Sequence, residues 1–184
     1  DLMASAELSQ VSKSIHGEYD TMSEEEIDKL FEVLKILATK KEKQMFNKSD
    51  LEGKRVVIKK FWDDRDPDTS TPVNEFKRDF FKRLNYANAQ FSGLREGWKT
   101  DRGRVLIQYG IPDEIERFPS SINTKAYEIW NYYDLEGGVI FVFVDIQGFS
   151  SYELVHSTAR NELKDYNWQR WINVLSTERG SIFE

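Results

Sequence analysis

The spacing of apolar residues changes midway along the chain, and this change limits the folds that the chain can adopt. Up to about residue 92, apolar residues recur every three or four positions, which is the period of an amphipathic helix. From residue 127 onwards, apolar and polar residues alternate, which is the period of a β-strand. A run of helices followed by a run of strands indicates an α+β fold.

Three helices are predicted in the first half of the chain. The first runs from 24 to about 47 and begins after Ser23, whose spacing from Glu26 is that of a capping box. The second lies in LEGKRVVIKKFW and must end before Pro67, because a residue that precedes proline is pushed out of helical geometry. The third follows Thr71 and Pro72, a cap and first-turn pair, and continues to about residue 92.

Three strands joined by short glycine-bearing links are predicted in the second half, where they form an antiparallel meander. Between the two halves, residues 104–109 form either a short helix or a strand. A cap at Thr100 and the glycine at position 110 favour the helix, whereas the VLI run favours the strand. We therefore expect an N-terminal helical layer (24–92) packed on a small three-stranded antiparallel sheet (125–157), with a closing C-terminal helix.

The same patterns predict how the chain is organised. The opening DLMASAELSQ resembles the start of an internal segment, so we expect the chain to be part of a longer protein. No apolar run approaches the roughly 20 residues of a membrane span, and we expect no transmembrane segment. The predicted segments are a weakly structured N-terminus (1–22), a helical layer (23–92), an α+β core (93–157) and a C-terminal helix and tail (158–184), with 23–175 as one compact unit.

Composition argues against several classes of function. The 32 acidic residues outnumber the 26 basic ones, so the electrostatic footprint of a nucleic-acid-binding protein is absent. The chain has no cysteine, which excludes disulfides, thiolate catalysis and cysteine zinc sites and suits an oxidising compartment. Its two histidines, His16 and His156, lie outside the charged motifs, which argues against a histidine-based triad. We expect no catalytic residue, metal or cofactor.

Arginines and carboxylates cluster around two tryptophans, in FWDDRDP and in GWKTDRGR. In the preferred interpretation these residues form a charge network that clamps the two segments together, with the tryptophans as lids. An arginine fork suits this role because it makes two bonds to one carboxylate. In the other interpretation the same arginines hold a phosphate or carboxylate ligand. The candidates are Trp62, Arg65, Asp66, Asn74, Glu75, Arg83, Trp98, Thr100, Asp101, Arg102 and Arg104.

A second candidate surface lies near the C-terminus, in DYNWQRWINVL. Its helical pattern is apolar on more than one face, and simple burial accounts for that, with one tryptophan on the core and one covering a neighbouring loop. The functional alternative is a partner-docking helix anchored by Tyr166, Trp168 and Trp171, since aromatic residues are frequent anchors of interfaces.

The motif Gly97-Trp98-Lys99-Thr100-Asp101 resembles the one that names the GWxTD-domain family. The resemblance covers roughly residues 25 to 160, and Ile111 and Asp68 are local departures from the family pattern. The order of elements also resembles, more weakly, the outer-membrane assembly lipoproteins of the SmpA/BamE type. Further matching positions are Phe61-Trp62, Arg65-Asp66-Pro67, Asn74-Glu75, Arg83, Arg102-Gly103-Arg104, Gly110, Pro112-Asp113, Trp130-Asn131-Tyr132, Phe141-Val142-Phe143, Asp145 and Gly148.

The resemblance implies a bacterial protein of the cell envelope or periplasm, within a longer secreted or surface-assembly chain. Together with the missing catalytic constellation, it leads us to expect a non-catalytic protein-interaction or structural module with a protein partner. The alternative is a small-ligand-binding or hydrolytic domain that uses the Asp, Glu and Arg cluster around the GWxTD loop.

Overall fold

The computed structural model describes residues 18–174 and has an α+β fold of helices and one antiparallel sheet. The chain divides into two compact units, Asp1–Asn85 and Tyr86–Glu184. The predicted segment boundaries, including the single unit 23–175, stay predictions. Most of the expected N-terminal segment and the tail from residue 175 lie outside the described residues.

The described part of the first unit contains three helices, α1 (Glu24–Leu34), α2 (Lys40–Lys48) and α3 (Leu51–Asp63), and most of α4 (Glu75–Phe91). The capping box of Ser23 and Glu26 is confirmed at the start of α1. The prediction of one continuous helix over 24–47 is wrong, because Thr39 forms a second capping box with Glu42 and begins a new helix there.

Helix α4 begins later than the sequence predicted. Thr71 is not its cap; its hydroxyl contacts Val73 O and Glu75 Oε1, each at 2.8 Å. Asn74 precedes the helix, and its side-chain oxygen accepts the Lys77 N–H at 2.9 Å. The Asn74 amide group also donates to the carbonyl of Trp62 at 2.8 Å, which fixes the cap on the end of α3. Asparagine at this position therefore sets the helix start.

Aromatic rings fill the core of the first unit. Phe31 and Phe46 stack at 3.7 Å between ring centroids, which joins α1 to α2. Trp62 is 3% exposed and contacts four phenylalanine rings, on α3 and α4. The other buried core residues of this unit are Ile27, Leu34, Val57, Ile58, Phe61 and Phe80.

The second unit contains a four-stranded antiparallel sheet in the order β1-β2-β3-β4. The predicted count of three strands is wrong because the edge strand β1 is mostly exposed and charged, so it lacks the apolar alternation that marked the others. Residues 104–109 belong to a helix, α5 (Asp101–Tyr109), and not to a strand. The strands are β1 (Glu114–Phe118), β2 (Tyr127–Tyr132), β3 (Val139–Asp145) and β4 (Tyr152–Ser157).

Each face of this sheet has its own apolar cover. On one face, Phe141 contacts Tyr109 of α5, with 5.0 Å between ring centroids. On the other face, the buried cluster of Val142, Val144 and Val155 is covered by a segment that includes Trp168. Within the described residues, the expected closing helix is only four residues long, α6 (Gln169–Ile172).

The residues before α6 form a turn rather than a helix. The Asp165 carboxylate accepts the Asn167 N–H at 3.0 Å and the Trp171 indole N–H at 3.0 Å. An aspartate that bonds to the backbone two residues ahead favours a turn over a helix interior. Within residues 18–174, none of the helices combines the length and the apolar character that a membrane crossing needs.

Candidate functional site

The glycine of the GWxTD motif permits a close backbone contact in the second unit. A Cβ atom at Gly97 would lie 1.9 Å from the carbonyl oxygen of Ala87 on α4. A Cβ atom at Gly103, on α5, would lie 1.9 Å from the carbonyl oxygen of Gly97. Real side chains do not approach a backbone atom so closely, so α4, the motif turn and α5 pack together through these two glycines.

Two polar side chains hold the motif turn from outside it. Ser92 Oγ accepts the Gly97 N–H at 2.8 Å, and Asn88 Oδ1 accepts the Trp98 N–H at 3.1 Å. Trp98 itself is half-buried, with the Lys99 ammonium 5.0 Å from its ring centroid.

The last two motif residues bond to the protein's own backbone. Thr100 is the N-cap of α5; its hydroxyl accepts the Gly103 N–H at 3.1 Å and donates to the Gly97 carbonyl at 2.6 Å. The Asp101 carboxylate accepts the Leu154 N–H at 2.7 Å and so attaches the start of α5 to β4. The Thr100 hydroxyl and the Asp101 carboxylate, the two motif groups suited to catalysis, are therefore both bonded to the backbone.

Arg104, three residues after Asp101, forms a closed ion pair. Its two terminal nitrogens each lie 2.8 Å from a different oxygen of Glu162, whose side chain is only 8% exposed. The hydroxyl of Tyr109 donates to the same carboxylate at 2.8 Å. Burial, reinforced by the nearby Glu162, raises the pKa of Tyr109, so its hydroxyl stays protonated.

Arg102 is held by rings rather than by short hydrogen bonds. Its guanidinium carbon lies 4.7 Å from the centroid of Phe91 and 4.1 Å from that of Tyr152. Its contacts to Glu128 Oε1, at 3.4 Å, and to Ser150 O, at 3.5 Å, are long for hydrogen bonds. Its Nε is buried and has no hydrogen-bond partner among the described residues.

Glu128, on β2, is the buried acidic residue beside Arg102. It is 7% exposed and accepts the indole N–H of Trp130 at 2.9 Å. Arg117 lies 3.5 Å from the same carboxylate, with a side chain that is 66% exposed. One buried carboxylate is therefore shared by an indole and two guanidinium groups.

A groove of about 270 Å³ opens beside these charges, and we call it the Arg102 groove. Arg102, Arg117 and Glu128 lie at its polar part, and apolar side chains form the rest. Two of the apolar residues are well exposed, Tyr86 at 51% and Ile111 at 77%. The other lining residues are Gln90, Phe91, Leu106, Pro112, Ile115 and Trp130.

In the first unit, Arg65 forms a closed pair with Glu42. Its two terminal nitrogens lie 2.7 and 3.0 Å from the two carboxylate oxygens, and its guanidinium carbon lies 3.7 Å from the Phe61 ring centroid. Although desolvation raises the pKa of Glu42, hydrogen bonds from Arg65 and Thr39 outweigh it and lower that pKa to about 2.

The other candidates of the first unit have local roles. Trp62 belongs to the aromatic core, and Asn74 caps α4. Asp66 accepts the Asp68 N–H at 3.2 Å within its own turn, and Glu75 accepts from Thr71. Arg83 is half-buried on α4. The proposed clamp between FWDDRDP and GWKTDRGR joins the two units and stays a prediction.

The aromatic docking candidates divide by exposure. Trp168 and Trp171 are partly buried and pack against the valine cluster of the sheet, whereas Tyr166 is 76% exposed. Their docking role stays a prediction. His156 is buried beside them, and its Nδ1 accepts the Asp165 N–H at 3.2 Å. Burial lowers the pKa of His156 in spite of the nearby Asp165, which favours the neutral ring.

Sequence reasoning missed the acidic partners of Arg65, Arg102 and Arg104. Glu42 carried a usable signal, its capping-box spacing from Thr39, but Glu128 and Glu162 are distant in sequence and carried none. It also missed Lys77, which is 4% exposed; its ammonium contacts Glu18 and Tyr19 at 2.6 to 2.8 Å. Across residues 18–174, no three His, Asp or Glu side chains are grouped to hold a metal ion.

These features define a class of α+β domain in which the signature motif holds a helix against a sheet. The family model of the GWxTD domain matches residues 6–174, and the chain belongs to this family. Searches of curated proteins and of solved structures gave no significant match. The weaker likeness to SmpA/BamE-type lipoproteins stays a prediction.

Proposed function

We propose that this GWxTD domain is a non-catalytic protein-interaction module of the bacterial cell envelope, within a longer secreted or surface-assembly protein. One observation carries the proposal. Thr100 and Asp101 are bonded to the protein's own backbone, while the Arg102 groove beside them has exposed apolar and charged side chains. The motif therefore supports a surface, and that surface is where we place the function.

The composition of the groove supports a protein partner. Tyr86, which is exposed, lines it together with two arginines, and interface hot spots are enriched in tyrosine and arginine. Exposed apolar residues such as Ile111 become buried when a partner docks, which is the main favourable term in most protein association. The exposed charges around them give the polar rim that such interfaces have.

The envelope location rests on the family resemblance and on composition. A chain without cysteine has no free thiol to be oxidised outside the cytoplasm. Fractionation of the producing bacterium tests this part: we expect the protein to be released with the periplasm or recovered with the envelope. Recovery with the cytoplasmic proteins would contradict it.

A small-ligand or hydrolytic site is the second candidate, and the long contacts of Arg102 favour it. The cluster predicted for it comprises Asp66, Glu75, Arg83, Asp101 and Arg102. Against it, a substrate would compete with the Leu154 N–H for the carboxylate of Asp101. This competition makes Asp101 a poor general base, and we prefer the interaction module.

Site-specific photo-crosslinking tests the interaction module. A photoreactive amino acid at Ile111 lies in the groove, whereas one at Ile122, which is 94% exposed, lies outside the set of groove-lining residues. The full-length protein is irradiated in its own cells, and any partner that is crosslinked from position 111 is purified. Its affinity for wild type and for Ile111→Ser is then measured by calorimetry.

The proposal expects crosslinking from position 111 and not from 122, with a purified partner that binds wild type and binds Ile111→Ser at least about tenfold more weakly. Equal crosslinking from both positions, or equal affinity for the two proteins, would overturn the groove as the binding surface.

A further inference from the structure

We infer that the Arg102 groove binds the free C-terminal carboxylate of a partner protein whose last residue is apolar. This inference rests on the proposed function and names the part of the partner that is recognised. The carboxylate is bound by Arg102 and Arg117, and the terminal side chain packs against the apolar part of the groove.

Arg102 has unused hydrogen-bonding capacity. Arg104 and Arg102 are two residues apart on α5, yet Arg104 has two contacts of 2.8 Å to one carboxylate and Arg102 has contacts of 3.4 and 3.5 Å. A guanidinium has five N–H donors in a planar fork that matches a carboxylate. The rings of Phe91 and Tyr152 already fix the plane of this fork, so little side-chain entropy is lost when it binds.

The charge of the groove suits a single carboxylate. Arg102 and Arg117 supply two positive charges and Glu128 one negative charge, so the groove is left with one positive charge. A single negative charge complements it. A phosphate near neutral pH carries between one and two negative charges, and the buried Glu128 repels the second. The chain as a whole carries −6, so attraction of an acidic group depends on this local site.

The size and the lining of the groove also suit a C-terminal residue. The groove, at about 270 Å³, is at the lower limit of pockets for small molecules, which are roughly 300–1,000 Å³. A C-terminal residue carries its carboxylate and its side chain on one Cα, so both groups fit into a small site. Tyr86, Ile111 and Ile115 offer the apolar contact that an aliphatic or aromatic terminal side chain needs.

Calorimetry on the full chain with short synthetic peptides tests the inference. The first arm is an acetylated hexapeptide that ends in leucine with a free carboxylate, and the second is the same peptide as its C-terminal amide. A third peptide ends in serine with a free carboxylate, and the fourth arm is inorganic phosphate. We expect the leucine acid to bind and the other three probes to bind about tenfold more weakly or not at all. The amide lacks the charge-assisted hydrogen bonds, which are worth at least a factor of ten. The serine acid and phosphate lack the apolar side chain that the groove would bury.

Four variants connect this binding to the groove. Arg102→Met and Ile111→Ser should each weaken the leucine acid by about tenfold. Glu128→Gln should tighten it, because it removes the charge that competes for the two arginines. Lys99→Met is the matched control: its ammonium pairs with Glu96 outside the groove, and its removal should leave affinity unchanged. Ile111→Ser and Glu128→Gln keep the test decisive if Arg102→Met unfolds.

Each other outcome overturns the inference. Equal affinity for the acid and the amide, together with weaker binding to Ile111→Ser, would show that the groove does not recognise the carboxylate. The groove would then remain a protein-binding surface. Binding of phosphate in preference to the peptides would replace the terminal carboxylate with a small anion. If no probe binds while crosslinking from position 111 still identifies a partner, the proposed function stands and C-terminal recognition is wrong.

Discussion

Arg65 of the first unit and Arg102 of the second both lie against aromatic rings, but only Arg65 makes a short ion pair. Arg65 lies on Phe61 and bonds Glu42 at 2.7 and 3.0 Å. Arg102 lies between two rings and approaches Glu128 only to 3.4 Å. The first unit thus holds its ring-bound arginine in a short side-chain pair. In the second unit the short pair belongs to Arg104, and the GWxTD turn is held by glycine contacts and by side chains bonded to the backbone.

This difference separates two kinds of motif residue. An arginine with both carboxylate bonds made has little left for a ligand, and its loss is felt in stability. An arginine with long contacts contributes less to stability and keeps donors for an external group. The four predictions below test this distinction, beginning with the largest expected effect.

Gly97→Ala should cause the largest loss of stability. Its methyl group would lie 1.9 Å from the Ala87 carbonyl, and backbone cannot rotate away as a side chain can. We expect a loss of about 3 kcal/mol or more, the upper range for overpacked sites. Thermal unfolding by circular dichroism checks it. Gly93→Ala is the control, because a Cβ there meets nothing within 4 Å and the change should stay within about 0.5 kcal/mol. Similar losses in both would show that the close contact does not hold the unit.

Arg65→Met should cost more stability than Arg102→Met. Breaking a buried ion pair costs about 3–5 kcal/mol, and the Arg65 pair is partly exposed, at 19% and 18%, so we expect about 2 kcal/mol. The Arg102 pair is more buried, at 13% and 9%, but its contacts are long, and Arg117 and the Trp130 indole still face Glu128 when Arg102 is replaced. For Arg102→Met we therefore expect about 1 kcal/mol. Urea unfolding, monitored by hydrogen exchange on peptides from each unit, measures the loss of stability in both variants. If Arg102→Met is the more damaging variant, Arg102 is structural and has no capacity to spare for a ligand.

Thr100→Ala should destabilise the second unit by about 1 kcal/mol, the usual cost of losing an N-cap. Thr100→Ser keeps the hydroxyl that accepts the Gly103 N–H and should stay close to wild type. Chemical denaturation of the two variants side by side measures this. A loss of equal size in Thr100→Ser would show that the methyl group, rather than the cap, is the contribution that matters.

Acid should weaken the first unit through Glu42. The folded-state pKa of Glu42 lies near 2, below its ordinary value of 4.5. The stabilising contribution is therefore present above pH 4.5 and is lost as the pH falls from 4.5 towards about 2. Hydrogen exchange of α2 and α3 across this range should speed up in wild type, and Glu42→Gln should show a smaller change. The same pH dependence in both proteins would assign the acid sensitivity to another carboxylate.

The sequence predicted those elements whose signal is local. The Ser23 capping box, helix α3, the Thr100 cap of α5 and three of the strands follow from residues close together in the chain. The errors have local causes too. The Thr39 capping box divided a long helical pattern, and β1 has an exposed, charged sequence without alternation.

The site was predictable only in part. The motif residues stood out by their pattern, but their partners did not, because Arg104 and Glu162 are 58 positions apart and Arg102 and Glu128 are 26 apart. The groove depends on residues from α4, α5 and two strands, and only three-dimensional packing brings them together. The spacing of apolar residues identifies the apolar face of a helix or strand. It does not identify which charged side chains become neighbours in the folded protein.

The two glycine contacts described for the motif also constrain how such a sequence changes over generations. Gly97 approaches Ala87, and Gly103 approaches Gly97, so the three backbones form one stack. A side chain at either glycine separates the same stack, and neighbouring substitutions of this kind are not additive. Because a stack already separated at one glycine is packed less closely, a side chain at the other should cost less. The pair should therefore be inherited as a single character, present together or lost together.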